Sequence, residues 1–135
     1  MAAIPQYAAT PRIGAATLTS LDASLTNPTT APATVLTGGS AGTRIEKLGI
    51  KATATTLPGL VRWFLHDGSN YTLIAERTIL GTLSSTTSAC FEEVINSITN
   101  PELLPIILPS STWSIRATTS VAQTGLRVRA EGADL

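Results

Sequence analysis

His66 and Asp67 are adjacent, and a histidine beside a carboxylate is the first pairing to test for chemistry, since an acid can orient an imidazole as general base. His66 is also the only histidine of the chain. Neighbouring residues on a strand point to opposite faces, and no Gly-x-Ser-x-Gly elbow accompanies the pair. The spacing therefore predicts a histidine at the end of a hairpin, with Asp67 opening the turn through its own side chain. Glu92 and Glu93 are likewise adjacent, so a strand would send them to opposite faces instead of converging them on one bond. The run Gly38-Gly39-Ser40-Ala41-Gly42 lacks the Lys-Ser/Thr ending of a phosphate-cradling loop and precedes no helical pattern, which makes it a turn. Metal ligation needs several His or Cys or a spaced set of carboxylates, and none is present. The sequence thus predicts no catalytic residue, no cofactor and no metal, and the protein is not expected to be an enzyme.

The element that would have to position any such chemistry is the stretch Leu60–Glu76. Two runs rich in Val, Trp, Phe, Tyr and Ile flank Asp67-Gly68-Ser69-Asn70, residues that suit tight reversal and positive φ, so a β-hairpin is predicted. In its first run Val61, Trp63 and Leu65 share one face while Leu60, Arg62, Phe64 and His66 share the other. Neither face is plainly polar, which places the hairpin inside a sandwich. Elsewhere the chain reads as short strands separated by turn signals. Within the arm, the alternation of Ala16–Leu21 is compatible with a first strand, and Thr34–Thr37 is predicted as a short strand. Arg44–Thr55 alternates with Leu48, Ile50, Ala52 and Ala54 on one side, and Ile45 is out of phase, which predicts a bulge near Glu46 and Lys47. Leu57-Pro58-Gly59 is a turn, and Ser84–Ser88 is a loop. Ala89–Ile98 has some helical spacing but stops at Asn100-Pro101, and is read as a strand. Leu103–Leu108 is a buried or edge segment. Trp113, Ile115 and Ala117 face one way on a further strand, and Leu126–Ala130 is the last strand before a tail over Glu131–Leu135. Such spacing predicts an all-β sandwich or barrel.

With 135 residues the chain suits one domain. Residues 1–30, with Pro5, Pro11 and Pro28 and many Ala and Thr, read as an extended N-terminal arm, and residues 31–135 as the β-sandwich domain. Charged residues make up only 13% of the chain, about half the usual share, so its polar surface must be Thr, Ser, Asn and Gln. Such an exterior suits life packed against copies or partners. Nine basic and nine acidic residues cancel. No basic stripe interleaves with aromatics, and Arg127 and Arg129 read as the solvent face of one strand, so nucleic acid is not an expected partner. No apolar window is long enough to span a membrane, and the N-terminus has no secretory pattern, so no membrane partner is expected. Cys90, the only cysteine, excludes an internal disulfide and reads as a small core residue.

The stretches YAATPRIGAATLT (7–19), TVLTGGSAGTRIEKLGIKATATT (34–56), LVRWFLHDGSNYTLIAE (60–76) and LPSSTWSIRATTS (108–120), with the closing Gly-Ala-Asp-Leu, together resemble small head-associated structural proteins of tailed bacteriophages. The resemblance spans about Tyr7 to Leu135. It implies a β-sandwich of jelly-roll type and the role of a capsid decoration or cement protein on the virion surface, made in the host cytoplasm. The implied partners are the major capsid protein and copies of itself, as a dimer or trimer. Ile4, Tyr7 and Ile13 would be apolar anchors, and Arg12 would pair with a capsid carboxylate. The alternatives are a tail, neck or fibre component, and a carbohydrate-binding sandwich in which Trp63, Tyr71 or Trp113 would be an exposed stacking platform. Core placement of those rings is the expectation.

Overall fold

The computed structural model describes residues 10–135 except 31, 84 and 86. The described residues form nine strands in two sheets: β1 (Thr10–Leu18), β2 (Ala33–Thr37), β3 (Thr43–Ala52), β4 (Gly59–His66), β5 (Tyr71–Ile79), β6 (Glu92–Asn96), β7 (Ile106–Leu108), β8 (Ser114–Thr119) and β9 (Leu126–Asp134). Sheet A has the order β1-β9-β3-β6, with β7 also on β3, and sheet B the order β2-β8-β4-β5. All of these pairs are antiparallel. The fold is a β-sandwich, and its outer pairings are nested: β1 with β9, β2 with β8, β3 with β6 and β7, β4 with β5. A long hairpin rolled into two facing sheets has this connectivity.

The predicted hairpin lies at the centre of the nest. Val61 and Trp63 point between the sheets, fully buried, beside Leu48 and Ile50 of β3 and Ile115 of β8. Phe64 is also fully buried but stands on the opposite face of sheet B, outside the inter-sheet core. Alternation within β4 thus spends aromatic bulk on both faces. At the turn, Asp67 Oδ1 accepts the backbone N–H of Ser69 (2.9 Å) and Asn70 (2.7 Å). Gly68 has a φ of +102°, a conformation that costs a residue without Cβ little.

Strict alternation breaks at three bulges. The one in β3 falls between Ile45 and Lys47, where the phase slip of Ile45 predicts it. It lets Ile45 and Leu48 both face inward. In β2 the register shifts between Thr34 and Leu36, which buries Val35 and Leu36 in succession. In the hairpin the register steps from Trp63↔Ala75 to Phe64↔Leu73, leaving Ile74 as the extra residue.

Several expectations need correction. Residues 10–18 are not arm but the edge strand of sheet A, in unbroken register with β9 from Thr10↔Asp134 to Leu18↔Leu126. Residues 1–9 lie outside the described residues. The low bulk of β1 has a packing cause: a Cβ on Gly14 would stand 1.9 Å from the carbonyl oxygen of Val35, so only glycine lets β1 close against β2. The tail beyond Ala130 is strand as far as Asp134. Cys90 is half-buried ahead of β6 and does not join the core.

The corner where β1, β2, β3 and β9 meet is tied by Asp134. Its carboxylate accepts Arg12 Nη1 at 2.9 Å and the Thr43 hydroxyl at 2.6 Å. Arg12 Nη2 donates on to the Thr37 carbonyl at 2.9 Å, and Thr43 Oγ1 receives the N–H of Gly39 at 2.7 Å. The Thr43 hydrogen bond, followed by the Arg12 guanidinium, holds the Asp134 carboxyl below its ordinary value of 3.8.

Two outcomes are expected. Gly14→Ala should destabilise the fold by about 2 kcal/mol through overpacking, while Ala15→Ser on the outward face should be near neutral. Equal urea midpoints for both variants would contradict the close β1–β2 contact. A carboxylate with depressed folded pKa contributes stability above its unfolded value and loses it as pH falls through the folded value. Asp134→Asn should therefore lower stability near neutral pH, and the gap to the parent should shrink as pH drops below 3.8, read from paired thermal melts. A gap independent of pH would assign the role of Asp134 to its shape and not its charge.

Candidate functional site

The hairpin end shows what His66 and Asp67 do. Asp67 Oδ1 is occupied by the two turn N–H groups, which hold its carboxyl below the usual range. The His66 ring packs at 4.4 Å from that of Tyr71. Burial, and then the charge of Arg116, lower its pKa from 6.5, so the imidazole is neutral at pH 7. Asp67 is not oriented as the partner of a base, and the pair serves the turn. Glu92 and Glu93 diverge as strand geometry requires, to Lys51 at 3.3 Å and Arg77 at 3.5 Å respectively. Among the described residues no group of three or more His, Cys, Asp or Glu could hold a metal ion. None of their helices is long and apolar enough to cross a membrane.

On the outer face of sheet B, Phe64 is fully buried and Tyr71 half-buried. Trp63, one of the rings that a carbohydrate-binding sandwich would need exposed, is fully buried between the sheets, where core placement is the expectation. Tyr71 lies edge-on to Phe64, with centroids 6.0 Å apart, and its hydroxyl accepts Arg116 Nη1 at 2.9 Å. The guanidinium carbon of Arg116 also stands over the Tyr71 ring, 5.6 Å from its centroid, so the cation meets both the hydroxyl and the ring face. Trp113 is half-buried against the core. Beside Phe64, the register partners Arg62 and Thr118 each keep a buried polar atom without a partner, Nη1 and Oγ1. Their burial seals them from solvent as well.

Of the residues predicted to bind a partner, Ile4 and Tyr7 lie outside the described residues. Arg12 does meet a carboxylate, but that of Asp134 in its own chain. Ile13 faces outward from β1 with 66% of its surface exposed.

Two surfaces escape a reading of the sequence. The first is the end of the sandwich where β1, β3, β5 and β8 finish. Leu21, Leu25, Leu57, Leu80 and Leu83 are each 50–79% exposed on its loops. These loops are cross-tied. Thr56 Oγ1 donates to the Leu80 carbonyl at 2.6 Å and receives the N–H of Thr82. The Gln123 side-chain amide accepts from Leu57 N–H and donates to Leu57 C=O, each at 3.1 Å, while Gln123 N–H reaches the Thr19 carbonyl. The end is therefore a fixed surface carrying apolar side chains. The second is a groove of about 200 Å³ on the outer face of sheet A, lined by Ala15, Gly49, Lys51, Arg127, Val128 and Arg129. The hydrophobic residues of the end come from loops far apart in sequence, and the cations of the groove from two strands. Only the strand register brings either set together.

No protein-family model matches the chain, and no curated protein matches it. Among solved structures it is similar to a chain in the crystal structure of the T13 IBDV viral particle, at 9% identity over 99% of this chain and 34% of the other, with a TM-score of 0.36. It is also similar to chains of infectious bursal disease virus strains Gt and Gx. For Gt the identity is 14% over 98% of this chain and 33% of that one, with a TM-score of 0.33; for Gx it is 13% over 98% and 36%, with a TM-score of 0.30. This chain spans about a third of the length of the solved chains it matches. Likeness at this level identifies neither a family nor an activity.

Proposed function

We propose that the chain is a non-enzymatic structural protein of a virion. Its role in this reading is that of a capsid decoration or cement protein of a tailed bacteriophage, bound to the outer surface of the major capsid protein shell. The observation that carries the reading is the fixed apolar end. Leu57 and Leu80, 52% and 63% exposed, sit on loops cross-tied through Gln123 and Thr56. They present apolar surface on backbone that hydrogen bonds already hold, so burial must order side chains more than chain. A protein that works by being packed between others needs such a surface and no cleft. The low charge content points the same way, since few ions must be desolvated on assembly. Ile13, exposed on β1, is a second apolar anchor, and self-association as a dimer or trimer belongs to the same reading. A location at the tail or neck is the competing placement.

Purified protein mixed with empty shells, assembled from the capsid protein of the same genome, should co-sediment saturably and occupy regular outer positions by electron microscopy. Leu57→Asp and Leu80→Asp alter exposed side chains, so the fold should persist while shell affinity drops at least about tenfold. Failure of the parent protein to bind shells would overturn the reading, and rings or attachment at a single vertex would move the protein to the tail or neck.

A further inference from the structure

We propose that the groove on the outer face of sheet A is a carboxylate-binding contact, with Arg127 at its centre, for an acidic surface of the partner protein. The inference rests on the structural role proposed above and specifies the chemistry of its partner.

The argument starts from register. Lys51 of β3 stands directly opposite Arg127 of β9, and on its other side Arg127 faces Thr17 of β1. Like charges directly opposite across two strands repel, and sheets ordinarily avoid the pairing. Arg129, two residues along the same strand, brings a third cation to the same face. Lys51 is compensated by Glu92 at 3.3 Å and Arg129 by Glu131 at 3.1 Å. Arg127 is exposed, and neither of its register partners is acidic. Glu131 also receives Lys47 at 3.6 Å, and Glu46 is taken by Arg44, so Lys47, Lys51, Arg127 and Arg129 share two carboxylates, Glu92 and Glu131, in a protein whose total charge is zero.

The exposed wall of the groove is almost wholly apolar, so a Glu side chain would lay its methylenes against the stems of Lys51, Arg127 and Arg129 and its carboxylate at their cationic rim. Ala15 and Gly49 give the groove a floor without bulk, and Arg129 lies across Gly49, where an added Cβ would stand 2.9 Å from its guanidinium carbon. About 200 Å³ is below the usual size of a small-molecule pocket but admits a Glu or Asp side chain. The planar fork of an arginine suits a carboxylate on it. Arg127 is the second residue of β9, directly after the Ser120–Gly125 loop, so the cations border the apolar end. An apolar centre with a charged rim is the anatomy of a protein–protein contact. Nucleic acid is the weaker fit, because Glu46, Glu92 and Glu131 share this face and a duplex rewards a run of uncompensated cations.

The test uses the whole chain with two probes, hexaglutamate peptide and empty capsid shells, and duplex DNA as competitor. In NMR titration, hexaglutamate should shift resonances of Lys51, Arg127 and Arg129 saturably. Arg127→Glu should weaken peptide and shell binding at least tenfold without lowering the melting temperature, because the introduced carboxylate faces Lys51. Arg127→Gln should give a smaller loss in both. Shells bound equally by the parent and Arg127→Glu, with peptide shifts elsewhere, would overturn the groove and leave the capsid role standing. Peptide binding at the groove without shell binding would uphold the groove and overturn the capsid role. Duplex DNA displacing the peptide from these residues at lower concentration would overturn the choice of a protein partner.

Discussion

Nested pairing is the constraint on which the rest of this structure depends. Only β4 and β5 are joined by a tight turn; β3 must find β6 and β7 around that hairpin, β2 must find β8 around those, and β1 finds β9 last in the nest. Each outer pair closes a longer loop, whose entropy must be offset by what the inner pairs have already buried. This explains where the bulk is concentrated. Trp63 and Phe64 lie in the innermost hairpin, whereas the outermost strand β1 contributes Gly14, Ala15 and Ala16 and is fitted to β2 by the absence of side chain. The core gives up something for this arrangement, since the Trp63 indole N–H is buried without an acceptor, an orphan that typically costs about 1–3 kcal/mol.

Charge plays a different part. Most of the ion pairs are half-exposed, and exposed pairs contribute only about 0–1 kcal/mol each. They serve register more than stability. Lys47–Glu131 and Lys51–Glu92 lie across strand pairs whose one-residue slip would reverse the faces of β9 or β6. Arg12 and Asp134 pin the two strands of the outermost pair at one corner, and the neighbouring turn is tied in through Thr43 and Gly39. Against this background of matched charges, Arg127 facing Lys51 stands out.

What the sequence discloses, and what it withholds, follows from the range of the forces involved. The hairpin, its Asp67-Gly68 turn and the inward set Val61, Trp63 and Leu65 are local properties and can be read directly. So can the bulge in β3, because the phase of Ile45 against Leu48 records it. Most of strand β1, residues 10–15, reads as an arm, since its small residues are chosen for contact with β2, a contact that local hydrophobicity does not encode. The continuation of β9 through Glu131 and Asp134 is hidden for a related reason: its polar residues face solvent or the corner carboxylate network. Val35 and Leu36 defy alternation because of a bulge set by β8. The apolar end is invisible in the sequence, as Leu21, Leu57 and Leu80 belong to three separate loops that look like ordinary connections.

The pairing of Thr10 with Asp134 places the first and last strand residues side by side at one corner, while the Asp67–Asn70 turn is the tip of the innermost hairpin. A short linker across the corner, with the chain opened at that tip, would give a circular permutant with every strand pair retained. The nest would then be inverted: β1 and β9 would form the local hairpin, and β4 and β5 would meet last. Such a protein would have the same native contacts and a reversed order of loop closures, so the topology and the core of this sandwich can be separated as determinants of its folding speed.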